Sequence, residues 1–372
     1  MVLWVEPGHK RDPQGKGPIG RTFDFFASFM SQIKRGVDVD NKIKNYNSLF
    51  KDGGIGGEIK LRGEAYVTMI DSFYELVTAF YEWGWGASFH LAYRLQGESF
   101  SEAMRRHEYH MTTFFSLPPK SKVLDAGCGI GGPCRNIARM TGWDVTGVTL
   151  NEYQVGRGND LIRQQKLAGS CRLVQGDFHK LPFQDESFDG CFSVEATCHA
   201  PDRRVVFREV LRVLKPGAIF ATYDWGLTDE YDPKNAEHVR IKNEIEEGNS
   251  LPELINVRKI AQQMVESGFE PVHNRDLALD PHQSVSWQHP IMPTFNPFIW
   301  PGFQFNTVNL RIMCWILSGL ELLRVVPPGT ADVQRMLQKG GLGCAYGGQM
   351  GIFTPMFLVV GRKPLSGPAS AG

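Results

Sequence analysis

The stretch VLDAGCGIGG, from Val123 to Gly132, decides the fold, because a short apolar run passes through an acid into a glycine-rich turn. Gly127, Gly129 and Gly131 let the backbone adopt conformations that side chains forbid and pass close to a ligand. A lone motif of this kind also occurs in dinucleotide-binding folds and in chance loops. Asp125, however, fits a partner for the ammonium of a bound amino acid moiety better than it fits a pyrophosphate cradle.

Short apolar runs alternate with helical segments on either side of this turn, which is typical of a parallel sheet with helices on both faces. The strands predicted after KVLDAG are DVTGVTL, CRLVQGD, FDGCFSVEA, AIFATYDW, PVHNRDLAL and, far downstream, MFLVVGRK. Helices are expected after Gly131, after Glu152, from Pro201 to the LKPG stop, and from Val257 to Ser267. The predicted fold is therefore α/β, a doubly wound and mostly parallel seven-stranded sheet.

Five segments are predicted along the chain. Residues 1–65 form an N-terminal arm or cap with an apolar helix near Phe23 to Ile33, and residues 66–120 form a helical substrate cap. Helical periodicity in that cap covers Met69 to Trp83 and Ser101 to Phe115. Residues 121–279 form the core, residues 280–354 an insertion before the last strand, and residues 355–372 that strand with a flexible tail. The cap and the insertion are expected to roof the carboxyl edge of the sheet, where ligands bind in such folds.

The charge balance and the cysteines bear on which classes of partner the chain can bind. The chain has 40 basic and 40 acidic residues, so no net field attracts nucleic acid. Its seven cysteines form no CxxC pair and no His stands at zinc-ligand spacing, so we interpret them as small buried hydrophobes in a reducing compartment and expect no metal. The N-terminus does not resemble a signal peptide. The apolar run from Val308 to Val326 is broken by three charges, which makes it a poor spanning segment, and peripheral membrane contact stays open.

Polar residues follow the second, third and fourth strands. Asn151 and Gln154 are expected to bond ribose hydroxyls, although the usual carboxylate at this place is absent. Asp177 could accept from an adenine amino group, Phe178 could cover the ring, and Glu195 points toward the cleft. The combination of D-x-G-x-G-x-G, a polar second-strand end, G-D-x-x-x-L-P-F and L-K-P-G resembles class I S-adenosylmethionine methyltransferases, which implies that cofactor and a Rossmann-like fold.

The stretch YEWGWGASFHLAY, residues 81–93, is not explained by that general fold. It crowds two Trp, two Tyr and one Phe around two glycines, with Glu82 and His90 as its acid and its histidine. One interpretation is an aromatic cluster of the core. The other is a turn that presents ring faces to a cationic centre.

Several motifs together resemble the sterol 24-C-methyltransferases over nearly the whole chain, from about Asn45 to Lys363. They are YEWGWGxSFH, RHEYHM, GCGIGGPCR, NEYQ, VEATCHAP, NAEH and GIFTPM. RHE and DPKNAEH are closer to the first-methylation type, which acts on cycloartenol or zymosterol, than to the type that methylates a 24-methylene sterol. The resemblance implies methyl transfer to carbon 24 of a Δ24 sterol, a cation at carbon 25, a hydride shift and loss of a proton.

That chemistry needs alignment of methyl and alkene, exclusion of water and one base. The resemblance assigns the cation to the ring faces of Tyr81, Trp83, Trp85 and Phe89, each contributing about 1–2 kcal/mol when desolvated. It assigns sterol contact to Trp85, Phe89 and Tyr93.

Glu82, His90, Glu108 and Glu195 are the candidates for holding the sterol 3-hydroxyl or taking the proton. A structural hydrogen bond or ion pair explains each of them equally well. His107 and His110 are interpreted as structural.

Two alternatives stay open. One is a methyltransferase of another prenyl-lipid, such as a tocopherol or a benzoquinol, or of an acyl chain. The other is a non-catalytic sterol carrier on the same fold. For the sterol enzyme we expect a homo-oligomer, associated peripherally with the cytoplasmic face of the endoplasmic reticulum or free in the cytosol.

Overall fold

Seven strands form one sheet in the order β3-β2-β1-β4-β5-β7-β6. The computed structural model describes residues 38–50, 56–293 and 307–365, so the helix expected near Phe23 to Ile33 and the end of the tail lie outside the described residues. The strands are β1 (Lys122–Ala126), β2 (Asp144–Thr149), β3 (Cys171–Gln175), β4 (Phe188–Val194), β5 (Leu214–Leu227), β6 (Glu270–Asp276) and β7 (Phe353–Arg362). The first five run parallel, and β7 runs antiparallel between β5 and β6, as the predicted fold class requires.

Helices cover both faces of this sheet. They are α1 (Val39–Ser48), α2 (Gly56–Glu64), α3 (Tyr66–Gly84), α4 (Phe100–Thr112), α5 (Gly132–Thr141), α6 (Glu152–Gln164), α7 (Arg203–Val213), α8 (Ala236–Gly248), α9 (Val257–Glu266), α10 (Thr307–Leu322) and α11 (Thr330–Gln349). Two apolar clusters fill the space between the helices and the sheet. The central strands β1 and β4 are buried on both faces, which explains their near-continuous apolar sequence.

Local hydrogen bonds set the helix ends. Ser99 and Glu102 form a reciprocal capping box at the start of α4, and Asn151 caps α6 through the backbone N–H of Gln154. The helix α5 starts after Gly131, whose φ of 73° is unfavourable for a residue with a side chain. Local sequence chemistry therefore predicts these starts well.

Three boundaries differ from the prediction. The LKPG segment does not separate helix from strand, because Leu214 is already extended and pairs with Phe188. The sixth strand ends at Asp276, since that side chain accepts from the N–H of Ala278 and starts a 3₁₀ turn. The last strand starts three residues early, at Phe353, where it pairs with Leu227.

The insertion between β6 and β7 contains α10 and α11. The helix α11 packs against α8 so closely that a Cβ at Gly340 would meet the backbone of Gly248. Val333 and Met336 of α11 join the apolar cluster of α1 and α3. The insertion and the N-terminal helices therefore form one layer, although the five predicted segment boundaries stay a prediction. No helix in the described part of the chain combines the length and apolar character needed to cross a bilayer.

Candidate active site

The helix α3 lies across the carboxyl ends of β2, β3 and β4. Four of its polar side chains make hydrogen bonds there: Tyr66 to Asp177, Asp71 to Asn151, Thr78 to Gln154, and Tyr74 to His199. These residues lie on one side of the helix. Sequence reasoning missed them, although polar positions at helical spacing in an apolar run were the available signal.

The glycine-rich turn between β1 and α5 is enclosed by two other segments. Gly127 has a φ of 106°, and a Cβ there would overlap the Cβ of Ala196 after β4. A Cβ at Gly129 would lie 3.5 Å from the ring of Phe89, and one at Gly132 would overlap the backbone of Ala87. The aromatic stretch therefore lies directly beside the turn, as the predicted sterol site requires.

Asp125 lies on β1, one residue before the end of the strand, and is completely buried. Its Oδ2 accepts from the Cys134 thiol at 3.0 Å, whereas its Oδ1 has no hydrogen-bond partner among the described residues. Burial raises the pKa of Asp125 to about 7. A buried carboxylate oxygen without a donor is costly, so this position suits the ammonium group of a bound amino acid moiety.

The end of β2 carries Asn151 and Gln154, both buried. Asn151 Nδ2 donates to Asp71 Oδ1 at 2.8 Å, and Gln154 bridges Thr149 at 2.7 Å and Thr78 at 3.2 Å. The two predicted ribose contacts thus also fix α3 to the sheet. Asp71 brings to this strand end the carboxylate that the strand itself lacks.

Asp177 follows β3 and has three donors. Its carboxylate accepts from the Tyr66 hydroxyl, from the His179 N–H at 2.8 Å and from the His179 ring at 3.0 Å. Burial acts to raise the pKa of Asp177, but these hydrogen bonds outweigh it and the pKa is lowered. The ring of Phe178 lies 4.9 Å from that of His179. An ionised acceptor and a ring therefore stand together where an adenine was predicted.

Glu195 lies where the glycine turn and the aromatic stretch meet. Its φ of 52° is in the left-handed region, which is strained for a residue with a side chain. Its carboxylate accepts from the Leu91 N–H at 2.8 Å and from Trp225 Nε1 at 2.7 Å. Burial raises the pKa of Glu195 to about 7, so this acid changes charge near neutrality.

Glu108 joins three elements at a completely buried point. It accepts from Ser88 Oγ at 2.7 Å, His90 Nε2 at 3.0 Å and Asn136 Nδ2 at 2.7 Å. Burial acts to lower the pKa of His90, but the bond to Glu108 outweighs burial and the pKa is raised. Glu108 and His90 thus form a buried pair that holds the aromatic stretch against α4 and α5.

His107 is a buried group that the sequence did not single out as functional. Neither ring nitrogen has a hydrogen-bond partner in the described part of the chain, and burial lowers its pKa well below the usual range. Its ring stacks on Tyr223 with centroids 3.8 Å apart. Ligand atoms of His90, His107 and Glu195 lie within 4.8 Å of one another, so these three residues could hold a metal, although two of them already have hydrogen-bond partners.

The predicted aromatic residues divide into two groups. Tyr81 and Phe89 are 5.5 Å apart, edge to face, beside the glycine turn. Trp85 instead donates to the His90 carbonyl at 2.6 Å and packs on Phe100, and Tyr93 lies under the guanidinium of Arg106. The side chain of Trp83 lies outside the described residues.

Glu82 forms a bidentate ion pair with Arg157 of α6. This contact fits the structural role that the sequence left open for Glu82. The structure does not bring Glu82 into contact with the other candidate acids, and the sterol contacts predicted for Trp85 and Tyr93 stay a prediction.

Two family models match the chain. A methyltransferase domain matches residues 124–222, and a sterol methyltransferase C-terminal domain matches residues 301–365. The first runs from β1 through the glycine turn into β5, and the second covers α10, α11 and β7.

Curated relatives match most of the chain. The cycloartenol-C-24-methyltransferase 1 of Oryza sativa subsp. japonica is 42% identical over 90% of this chain and 94% of its own length. The cycloartenol-C-24-methyltransferase of Arabidopsis thaliana is 43% identical over 83% of this chain and 91% of its own. Among solved structures, the geranyl diphosphate C-methyltransferase of Streptomyces coelicolor A3(2), in complex with S-adenosyl-L-homocysteine, has a TM-score of 0.51 at 16% identity and covers 74% of this chain and 92% of that chain. That likeness shows the fold.

Proposed function

Because this chain belongs to the sterol 24-C-methyltransferases, we infer that it transfers a methyl group from S-adenosylmethionine to carbon 24 of a Δ24 sterol. We propose a substrate of the first-methylation type, such as cycloartenol or zymosterol. The observation that supports this most is the contact of Phe89 and Ala87 with the glycine turn. This contact joins the aromatic stretch to the glycine turn and the ends of β2 and β3, which we call the cofactor half of the site.

The cofactor half offers a partner for each group of the proposed ligand. S-adenosylmethionine supplies an electrophilic methyl group on a sulfonium centre. The orphaned oxygen of Asp125 would bind its ammonium, and the glycine turn leaves room for its backbone approach. Asp71 with Asn151 and Gln154 would take the ribose, and Asp177 with Phe178 the adenine.

The aromatic stretch, which we call the sterol half of the site, supplies ring faces and an environment from which water is excluded. Tyr81 and Phe89 lie nearest the turn, so we assign cation stabilisation to them first, at about 1–2 kcal/mol for each desolvated ring. Trp85 and Tyr93 shape the walls through their bonds to His90 and Arg106. Water exclusion follows from the completely buried acids and histidines around them.

Glu195 is our choice for the base. It stands between the two halves, and the donors Leu91 and Trp225 fix its carboxylate. With its pKa near 7 it is largely ionised above neutrality. The sterol cation loses a proton to a Glu195 oxygen, and the electron pair of that C–H bond forms the new double bond. His90 and Glu108 position the segment that carries Leu91.

The test is methyl transfer by the purified full chain. Methyl-labelled S-adenosylmethionine is supplied with cycloartenol or zymosterol, and a sterol with a saturated side chain serves as the control. Label should appear in a 24-methylene sterol and not in the control. Labelling of a tocopherol or benzoquinol with every Δ24 sterol unlabelled would favour the other prenyl-lipid enzyme. Sterol binding that is independent of the methyl donor, without turnover, would favour the carrier.

We further propose a homo-oligomer that associates peripherally with the cytoplasmic face of the endoplasmic reticulum, with no nucleic acid partner. The sterol substrate, which partitions into membranes, supports the location. We also propose turnover without a metal, so activity should survive exhaustive chelation. Loss of activity on chelation, restored by a divalent cation, would instead direct attention to His90, His107 and Glu195.

A further inference from the structure

Large apolar side chains are exposed on α10 and on the turn that follows it. Of the sixteen large apolar residues exposed in the described part of the chain, seven lie in the 18 residues from Val308 to Val325, namely Val308, Ile312, Trp315, Ile316, Leu322, Leu323 and Val325. Trp315 is 74% exposed and Leu322 is 85% exposed. Single exposed apolar residues need no explanation, but a contiguous group of this size indicates a contact surface.

The members of this group that lie on α10 occupy one side of the helix. Val308, Ile312, Trp315 and Leu322 are spaced by three, four or seven residues, which places them on one face. The other side carries the buried Leu310 and packs against α11. The face is therefore held outward by the fold. We call this side of α10, together with Leu323, Arg324 and Val325 of the turn that follows, the α10 face.

The exposed charged side chains on the α10 face are positive. Arg311 and Arg324 are exposed there. The acid of this stretch, Glu321, is half-buried, and its Oε1 accepts from the Ala331 N–H at 2.7 Å at the start of α11. Apolar side chains flanked by arginines suit a membrane interface with anionic headgroups, because the arginines bind phosphates while the apolar groups enter the acyl boundary.

Length determines how such a helix meets a bilayer. The 16 residues of α10 include Arg311 and Glu321, so the helix is too short and too polar to cross. A helix of this kind lies in the plane of the interface. It also falls within residues 301–365, the part that matches the sterol methyltransferase C-terminal model.

We propose that the α10 face docks the protein on an anionic phospholipid bilayer, with α10 parallel to the membrane plane and Trp315 and Leu322 inserted. The biological purpose rests on the proposed function, because a sterol substrate is taken from a bilayer. The docking itself depends only on the exposed residues.

The test measures co-sedimentation of the full chain with vesicles of phosphatidylcholine, with and without phosphatidylserine. The Trp315→Gln/Leu322→Gln double variant should lower the partition coefficient about tenfold or more on both vesicles, because it removes two of the apolar anchors. Arg311→Gln/Arg324→Gln should remove most of the preference for phosphatidylserine, about fivefold for each arginine. Leu279→Gln, at a residue 76% exposed outside the α10 face, is the matched control and should bind as the wild type does.

Equal vesicle binding by the double variant and the wild type would overturn the proposal. A second contrary outcome is a change of oligomeric state in the variant without lipid, with vesicle binding intact, since that would make the α10 face a contact between copies of the chain. Methyl transfer to detergent-dispersed sterol is measured alongside. The variant should keep this activity, so failure of docking and failure of the proposed function are distinguishable.

Discussion

The cofactor half of the site, at the glycine turn, and the sterol half, at the aromatic stretch, are built differently. In the first half the backbone defines the site, because Gly127 and Gly131 have positive φ and Asp125 is fixed by its position on β1. In the second half, side chains from distant elements define it, since Leu91 bonds to Glu195 across 104 residues. A site that the backbone defines can be predicted from local sequence. A site that side chains from distant elements define can be recognised only once the fold is known.

The largest expected effect tests the backbone-defined half. Gly127→Ala should remove nearly all methyl transfer, because its Cβ would overlap that of Ala196 and its φ of 106° strains any side chain. We expect a stability loss of about 2–5 kcal/mol from strain and overpacking together. Urea unfolding measures the loss of stability. A methyl-transfer assay, with S-adenosylhomocysteine binding beside it, measures the loss of function.

The matched control for that change is Gly156→Ala. Gly156 lies in α6 with no atom near its added Cβ, so the change should leave binding intact and stabilise the helix by up to about 1 kcal/mol. Equal damage from both alanines would show that the turn has no special geometry.

The second prediction tests the side-chain half. Glu195→Gln should lower kcat by roughly 10²–10⁴ without changing S-adenosylhomocysteine affinity, since it removes a base and keeps the size of the side chain. Burial raises the pKa of Glu195 to about 7, and the carboxylate is the active form. Wild-type kcat should therefore rise as the pH increases through about 7, and this rise should be absent from the residual activity of the variant.

An unchanged pH profile in Glu195→Gln would assign the proton transfer elsewhere. His107 is the next candidate, because both its nitrogens are buried without partners among the described residues. In that case His107→Phe, which keeps a ring against Tyr223, should abolish turnover.

Sequence reasoning reached different depths in the two halves. The sheet, the insertion and the glycine turn followed from local patterns, namely the alternation of strands and helices and glycines that have positive φ. The contacts of Trp85 and Tyr93 did not follow, since the sequence does not show that Trp85 packs on Phe100 or that Tyr93 lies under Arg106. Asp71 was missed for the same reason, because its partner is 80 residues away.

The third prediction concerns that missed carboxylate. Asp71→Asn should raise the KM for S-adenosylmethionine about tenfold and leave kcat nearly unchanged, since a charge-assisted hydrogen bond is worth roughly 1.5–3 kcal/mol. Steady-state kinetics at saturating sterol measure the effect. Asp160→Asn, on the exposed side of α6, is the control and should behave as wild type. A fall in kcat with KM unchanged would contradict a role in cofactor binding.

The smallest effect separates a structural acid from a catalytic one. Glu82 lies in the aromatic stretch, yet its carboxylate is paired with Arg157 and the pair is partly exposed. Glu82→Gln should therefore cost only about 1 kcal/mol of stability and leave the pH dependence of kcat unchanged. The reverse pair, Glu82→Arg with Arg157→Glu, should recover that stability. A loss of turnover as large as that of Glu195→Gln, not recovered by the charge swap, would place Glu82 among the reacting groups and show that motif membership outweighs the contact seen in the fold.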